Sequence, residues 1–268
     1  MKNLGITLVL STLILIACGP NHEELAKNKF NKAEQLFSQK KFNDAKLEID
    51  SIEYLYPNQI EYITRGNDLL RKISIEEQNQ NLVFLDSMLQ VKEMELVPLM
   101  KNFTESSDYG TKKILIHKRQ KPENSYGRIY LRAHLNLEGD FYISSRYTGT
   151  ERIHHDQIKV YFNKNSVLSE EVPEDGVNNR HLEDGENHWE VISYKNGKDN
   201  GVIDFIANNA NQSLKVQFRG KKYYYIVMEK FDKEAIRDGY EISFVLKEIK
   251  HIKEEIKTVK AELKRLNA

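Results

Sequence analysis

Ile242, Val245, Ile249, Ile252, Ile256, Val259, Leu263 and Leu266 recur at alternating steps of three and four without a break. Residues with that rhythm fall on one narrow stripe of a long helix, and such a stripe must be covered by another helix. The flanking positions carry opposite charges at helical-neighbour spacing, Lys250 with Glu254, Glu254 with Lys257 and Glu262 with Arg265, as on a solvated face. A second seam runs through Ile75, Leu82, Leu85, Leu89, Leu96, Leu99 and Phe103, interrupted by Gln78 and Lys92. Pro98 predicts a kink or an end near Val97. Two seams of similar length and period predict an antiparallel coiled-coil stalk made with the C-terminal helix, 232–268. If the C-terminal seam is not satisfied inside the chain, it offers a surface for oligomerisation.

Residues 109–231, between the seams, change character. Apolar and polar residues alternate in the manner of strands over Ile114 to His117, Arg128 to Leu135, Phe141 to Ser144, Ile158 to Phe162, Trp189 to Tyr194, Leu214 to Phe218 and Tyr223 to Met228. Turns are marked by Glu138-Gly139-Asp140, Asn196-Gly197 and Arg219-Gly220. Six or seven short strands spaced by roughly ten residues predict a β-sandwich or a curled antiparallel sheet. Val202, Ile203, Phe205 and Ile206 have helical spacing and predict one short helix. The fold class expected is α+β: an N-terminal helical hairpin and long helices forming the stalk, with an inserted antiparallel β-sandwich-like domain.

The N-terminus sets the compartment. Lys2 precedes an apolar run from Leu4 to Ala17, short for a membrane span, that ends at Cys18. Leu15-Ile16-Ala17-Cys18 resembles the bacterial lipobox, which implies a signal peptide over 1–17, cleavage before Cys18 and lipid on its thiol. Cys18 is the sole cysteine, so lipid accounts for the thiol without a disulfide. Each buried methylene contributes about 0.8 kcal/mol, so two or three acyl chains make a stable anchor. The alternative is an uncleaved membrane anchor or a buried helix. Gly19-Pro20-Asn21 lacks the Asp associated with inner-membrane retention in other lipoproteins, so the cell envelope at the outer membrane is the expected location.

In the following segment, 18–108, the spacing of Ala33, Phe42, Ala45, Ile52 and Pro57 resembles a tetratricopeptide repeat, with Lys40-Lys41 at the turn. Lys29 and Lys32 stand where that family prefers apolar residues. A shift by the family period of about 34 residues puts Asn67 and Asn79 on the alanine positions, so there is one repeat at most. A lone repeat cannot cover its own apolar face and must pack on something further. An ordinary helical hairpin without a peptide groove is the alternative. The whole resembles the repeat-and-coil lipoproteins of Gram-negative bacteria. Asp50-Ser51-Ile52 and Asp86-Ser87-Met88 resemble the short O-glycosylation motif of exported Bacteroidota-type proteins.

Chemistry is sparsely marked. Lys plus Arg equals Asp plus Glu at 40 each, so no basic excess draws nucleic acid, and no nucleic-acid partner is expected. There is no Gly-x-Ser-x-Gly elbow and no Gly-rich phosphate loop, and no sequential pair of carboxylates stands out; no catalytic residue, cofactor or metal is assigned. His154-His155-Asp156 reads as a polar turn, because neighbours on a strand face opposite ways and cannot share a metal. His181, Asp184, Glu186 and His188, in an acidic loop from Glu170 to Glu190, match neither a calcium loop nor a short zinc motif. Aromatic residues are the better candidates for ligand contact: Trp189, Tyr194 and Tyr224, the last within Tyr223-Tyr224-Tyr225. The function expected is a non-enzymatic, membrane-anchored binding or scaffolding lipoprotein with a protein partner; the alternative is a glycan-binding or glycan-processing accessory.

Overall fold

The computed structural model describes residues 21–107 and 113–268; the lipobox and Cys18 lie outside them. The chain is α+β and folds as two compact units, one of residues up to Leu82 with Val259–Ala268, the other Val83–Thr258. Among the described residues no helix is long and apolar enough to cross a membrane.

The first unit is built on α1 (His22–Ser38) and α2 (Phe42–Leu55), with the first part of α3 (Ile60–Leu99). The Asn21 side chain caps α1 by accepting from the Glu24 N–H at 3.4 Å, so the helix starts three residues after Gly19. Lys40 turns the chain at φ 59°, and α2 stops at Leu55, two residues ahead of Pro57. The buried face of the hairpin is Ala26, Phe30, Ala33, Phe42, Ala45, Ile49 and Ile52, and the third helix completes the core with Tyr62, Leu69 and Ile73. That helix begins at Ile60, not at Ile75, and Gly66 lies close against α2: an added Cβ would sit 2.8 Å from Ile49 Cγ2. Lys29 and Lys32, where the repeat pattern wants apolar residues, instead reach Glu48 of α2 at 2.7 and 2.5 Å. Those two cations hold the Glu48 carboxyl below its ordinary range.

In the second unit α3 runs one residue past Pro98 and ends in a 3-10 turn at Met100–Asn102. Among the described residues ten strands follow: β1 (Phe103–Ser106), β2 (Ile114–His117), β3 (Tyr130–Asn136), β4 (Phe141–Gly149), β5 (Gln157–Phe162), β6 (Asn165–Leu168), β7 (Asn179–Asp184), β8 (Asn187–Tyr194), β9 (Lys215–Arg219) and β10 (Tyr224–Val227). They form a six-stranded sheet in the order β1-β2-β3-β4-β8-β7 and a four-stranded sheet in the order β10-β9-β5-β6. The short helices α4 (Pro122–Ser125) and α5 (Val202–Asn208) lie within this region, and α6 (Lys230–Leu266) closes the chain.

The odd-numbered residues of the central strands, Leu131 and Ala133 with Ile143 and Tyr147, join Ile158, Val160, Val216 and Phe218 of the other sheet and Ala235 and Ile236 of α6 in one core. Further along, Leu96 and Leu99 of α3 share a cluster with Ile242 and Leu246 of α6, and Lys92 meets Glu248 at 2.8 Å, so the helices pack antiparallel. β1, β6 and β7 were not expected. The acidic stretch read as a loop from Glu170 to Glu190 contains β7 and most of the β7–β8 hairpin, turned at Gly185 with φ 62°. β7 is an edge strand, largely exposed and charged, which suits an edge and hides the alternation of a strand.

Candidate functional site

Antiparallel pairing puts the even-numbered residues of β3 and β4 on the face of the six-stranded sheet opposite the core. Three cross-strand rows result. Tyr130 stands opposite Arg146, and Arg146 opposite Val191, which in turn faces Arg180; Arg132 stands opposite Ser144, and Ser144 opposite Ser193; His134 stands opposite Tyr142. Lys195, just past β8, extends the last row. Of these, Arg132, His134, Tyr142, Arg146, Arg180 and Lys195 line a cavity of about 910 Å³ that also receives Asn136, Asp140 and Lys247.

Charge is the cavity's main property. Five cations, Arg132, Arg146, Arg180, Lys195 and Lys247, line it against the single carboxylate of Asp140. That carboxylate already accepts from the Asn136 amide at 2.8 Å. Arg132 is only 5% exposed. Among the described residues the buried Nε–H of Arg146 has no hydrogen-bond acceptor. In a chain with balanced overall charge, such segregation in a concave, partly dry site focuses positive potential and attracts anions. Guanidinium forks suit carboxylate or phosphate oxygens in particular.

Rings hold the last row rigid. His134 stacks on Tyr142 with centroids 4.5 Å apart and planes 2° from parallel, and the Lys195 ammonium lies 5.0 Å from the Tyr142 centroid. Burial, with Arg132, Arg146, Lys195 and Arg180 adding to it, drives the His134 pKa well below its ordinary value, so the ring is neutral. Burial raises Tyr142, against the opposing pull of Arg132 and Arg180. His134 Nε2 and Ser144 Oγ are 2.8 Å apart, the spacing of a nucleophile and its base, yet Ser144 is 0% exposed and its hydroxyl cannot meet a substrate.

Trp189 lies on this same face, opposite Thr148 and beside Leu182, partly exposed and tilted against Tyr126 at 6.3 Å between centroids. Tyr126 is 79% exposed. The other two aromatic candidates are elsewhere. Tyr194 is a core residue, 1% exposed, with its hydroxyl 3.2 Å from Ser145 Oγ, and it has no surface to give a ligand. Tyr224 packs edge-on against Tyr147 and Phe218 on the four-stranded sheet. Sequence reasoning missed the arginines, although Tyr130-Arg132-His134 and Tyr142-Ser144-Arg146 repeat polar residues at period two on either side of one turn, the mark of a polar sheet face.

A second polar cluster sits at the edge of the sandwich. His155 is not a solvated turn residue: it is 0% exposed, and Glu190, equally buried, grips its loop. Glu190 Oε1 accepts from the backbone N–H groups of Ile153 and His154, and Oε2 accepts from the N–H of His155, all at 2.8 Å, while His155 Nδ1 lies 2.6 Å from Oε2. Burial alone would raise the Glu190 pKa, but the His155 ring and the backbone donors outweigh it and hold the carboxyl at about 2. Burial pushes the His155 imidazole down. The loop so held presents His154, which meets His181 of β7 and Glu174. Asp184, Glu186 and His188, read beside His181 in sequence, are not in this group. No protein-family model, curated protein or solved structure matches the chain.

Proposed function

We propose that the chain is a lipid-anchored envelope protein, held to the membrane through Cys18, that works by binding and not by catalysis, with the cationic cavity receiving an acidic segment of a protein partner. The observation that carries this function is the set of five cations facing one occupied carboxylate, with Arg132 buried and the Arg146 Nε–H lacking an acceptor. A buried donor left without an acceptor costs on the order of 1–3 kcal/mol, which an incoming carboxylate would recover. The lipobox resemblance supports the anchor, and the outer membrane is its proposed place.

A second ligand, an acidic glycan, is favoured by one further observation: Trp189 and Tyr126 stand on the cavity's own sheet face, where a sugar ring could stack while its carboxylate meets the arginines.

The lipidated protein in detergent micelles is titrated by calorimetry with an oligoglutamate peptide and separately with oligogalacturonate, a readout that also serves a variant lacking Trp189, the single tryptophan. Binding should weaken as salt rises, and Arg180→Ala or Lys195→Ala should weaken it about tenfold or more. Peptide binding that survives Trp189→Ala identifies the protein segment; glycan binding lost with Trp189→Ala identifies the glycan. Failure of both ligands to bind, or indifference to both cation variants, overturns the proposal.

A further inference from the structure

We propose that His154, Glu174 and His181 form a binding site for a first-row divalent metal ion, with zinc the ion their chemistry fits best. On β7, Arg180 and His181 face opposite ways. Arg180 shares the cationic face with Val191, whereas His181 stands opposite Glu190 on the inward side. The His181 side chain is 6% exposed, and among the described residues neither of its ring nitrogens makes a hydrogen bond. An imidazole that is more than nine-tenths buried with neither nitrogen hydrogen-bonded is costly in itself, and such groups call for a ligand or a functional reason.

Both partners converge on that ring. His181 Nδ1 is 3.4 Å from Glu174 Oε2, and the His154 and His181 rings have centroids 5.5 Å apart, inclined at 58°. One ligand atom from each of the three residues lies within 4.8 Å of the other two. A tetrahedral zinc ion with bonds of about 2.0–2.1 Å holds its ligands about 3.3 Å apart, so closure asks for a movement of about an ångström or so. Glu174 Oε2 already stands at about that separation from His181 Nδ1, and Glu174, 57% exposed in the segment leading to β7, has room to rotate its side chain.

The histidines need not move far, because their frame is built. His154 adopts φ 49°, unusual for a residue with a side chain, and Glu190 fixes it there through the backbone bonds described above. Gly220 backs the same turn: a Cβ there would fall 2.1 Å from the His154 carbonyl oxygen. Glu190 thus acts as a positioning residue, fixing the backbone of a ligand whose ring it does not touch. Two imidazoles and one carboxylate make a ligand set suited to zinc and its transition-metal neighbours, whereas calcium and magnesium demand mostly oxygen. Three protein ligands leave a coordination position for water or an external group.

The site is tested on the full-length protein in detergent, stripped with a chelator and titrated with zinc chloride by calorimetry, with cobalt(II) absorption as a reporter of tetrahedral geometry. One ion per chain should bind with Kd at or below about 1 μM. His154→Ala and Glu174→Gln should each weaken zinc by about tenfold or more and abolish the tetrahedral cobalt bands. Both positions are partly exposed, so circular dichroism should confirm that these variants stay folded, which a buried His181→Ala variant need not do. His251→Ala, at an exposed histidine of α6, should change nothing. Absence of stoichiometric zinc binding, or binding that His154→Ala and Glu174→Gln leave intact, overturns the proposal.

Discussion

Replacing Glu190 by Gln keeps the shape of the side chain but removes its charge and turns one acceptor oxygen into an amide donor. The two bonds to Oε1, from Ile153 and His154, survive. At the other atom the new NH₂ group faces the His155 N–H, and two donors meet in a site with 0% exposure. The ring of His155 can recover one contact by changing tautomer, since its Nε2 lies 2.8 Å from Ser145 Oγ and that hydroxyl can donate or accept. The variant therefore loses two charge-assisted bonds of about 1.5–3 kcal/mol each and regains one neutral bond of about 1 kcal/mol, a net loss of about 2–5 kcal/mol. A carboxyl held at about 2 against an ordinary 4.5 gives a similar figure, about 3 kcal/mol, at 1.36 kcal/mol per pKa unit. Because the folded pKa is depressed, this stabilisation is complete above pH 4.5 and is lost as the pH falls from there towards 2. Urea unfolding followed by Trp189 fluorescence, next to Glu190 on β8, measures both quantities in the second unit. A loss under about 1 kcal/mol at neutral pH, or a stability profile between pH 4.5 and 2 identical to that of the unaltered protein, would refute the clasp.

The same loop predicts that Gly220→Ala costs about 1–3 kcal/mol, because its Cβ would meet only backbone atoms, the His154 carbonyl and the His155 Cα at 2.6 Å; a melting temperature within a degree or so of the original would contradict this. Ile256, 8% exposed on α6, should tolerate no charge: Ile256→Asp is expected to lower the monomer's stability by about 3 kcal/mol or more, and a drop in solution mass without destabilisation would instead assign the seam to an oligomer. Cys18→Ser should abolish incorporation of labelled palmitate and leave the leader uncleaved; label retained on the variant would exclude the lipobox assignment.

The helices were legible because their burial repeats locally. Ile242 to Val259 can be read as a seam without knowledge of any partner, and all six seam residues over that stretch are buried. α3 was legible only in its second half, since Gly66 and Asn67 break the pattern, and Gly66 serves a close approach to α2 that no local signal announces. Strands with one apolar face were found, and the edge strands β6 and β7 were not, because exposed edges carry polar residues on both sides. The sites were least legible. Arg132 and Arg146 lie within expected strands, but their meeting with Arg180 and Lys195 depends on the β4–β8–β7 register. His154 and Glu174 lie in loops, and they reach His181 through the β7–β8 pairing and the grip of Glu190 on the His154 backbone, so grouping histidines by nearness in sequence joined His181 to the wrong neighbours.

Arg180 and His181 on β7 impose a reading frame on that strand. Its side chains alternate between two chemical destinations, a cation for the open face and an imidazole for the interior. Inserting or deleting one residue within β7 before Arg180 would exchange the two, burying a guanidinium and exposing the ring, and both sites would fail together. A change of two residues would restore the alternation. The length of this short edge strand is therefore constrained in steps of two, although most of its side chains are exposed and would each, taken singly, tolerate replacement.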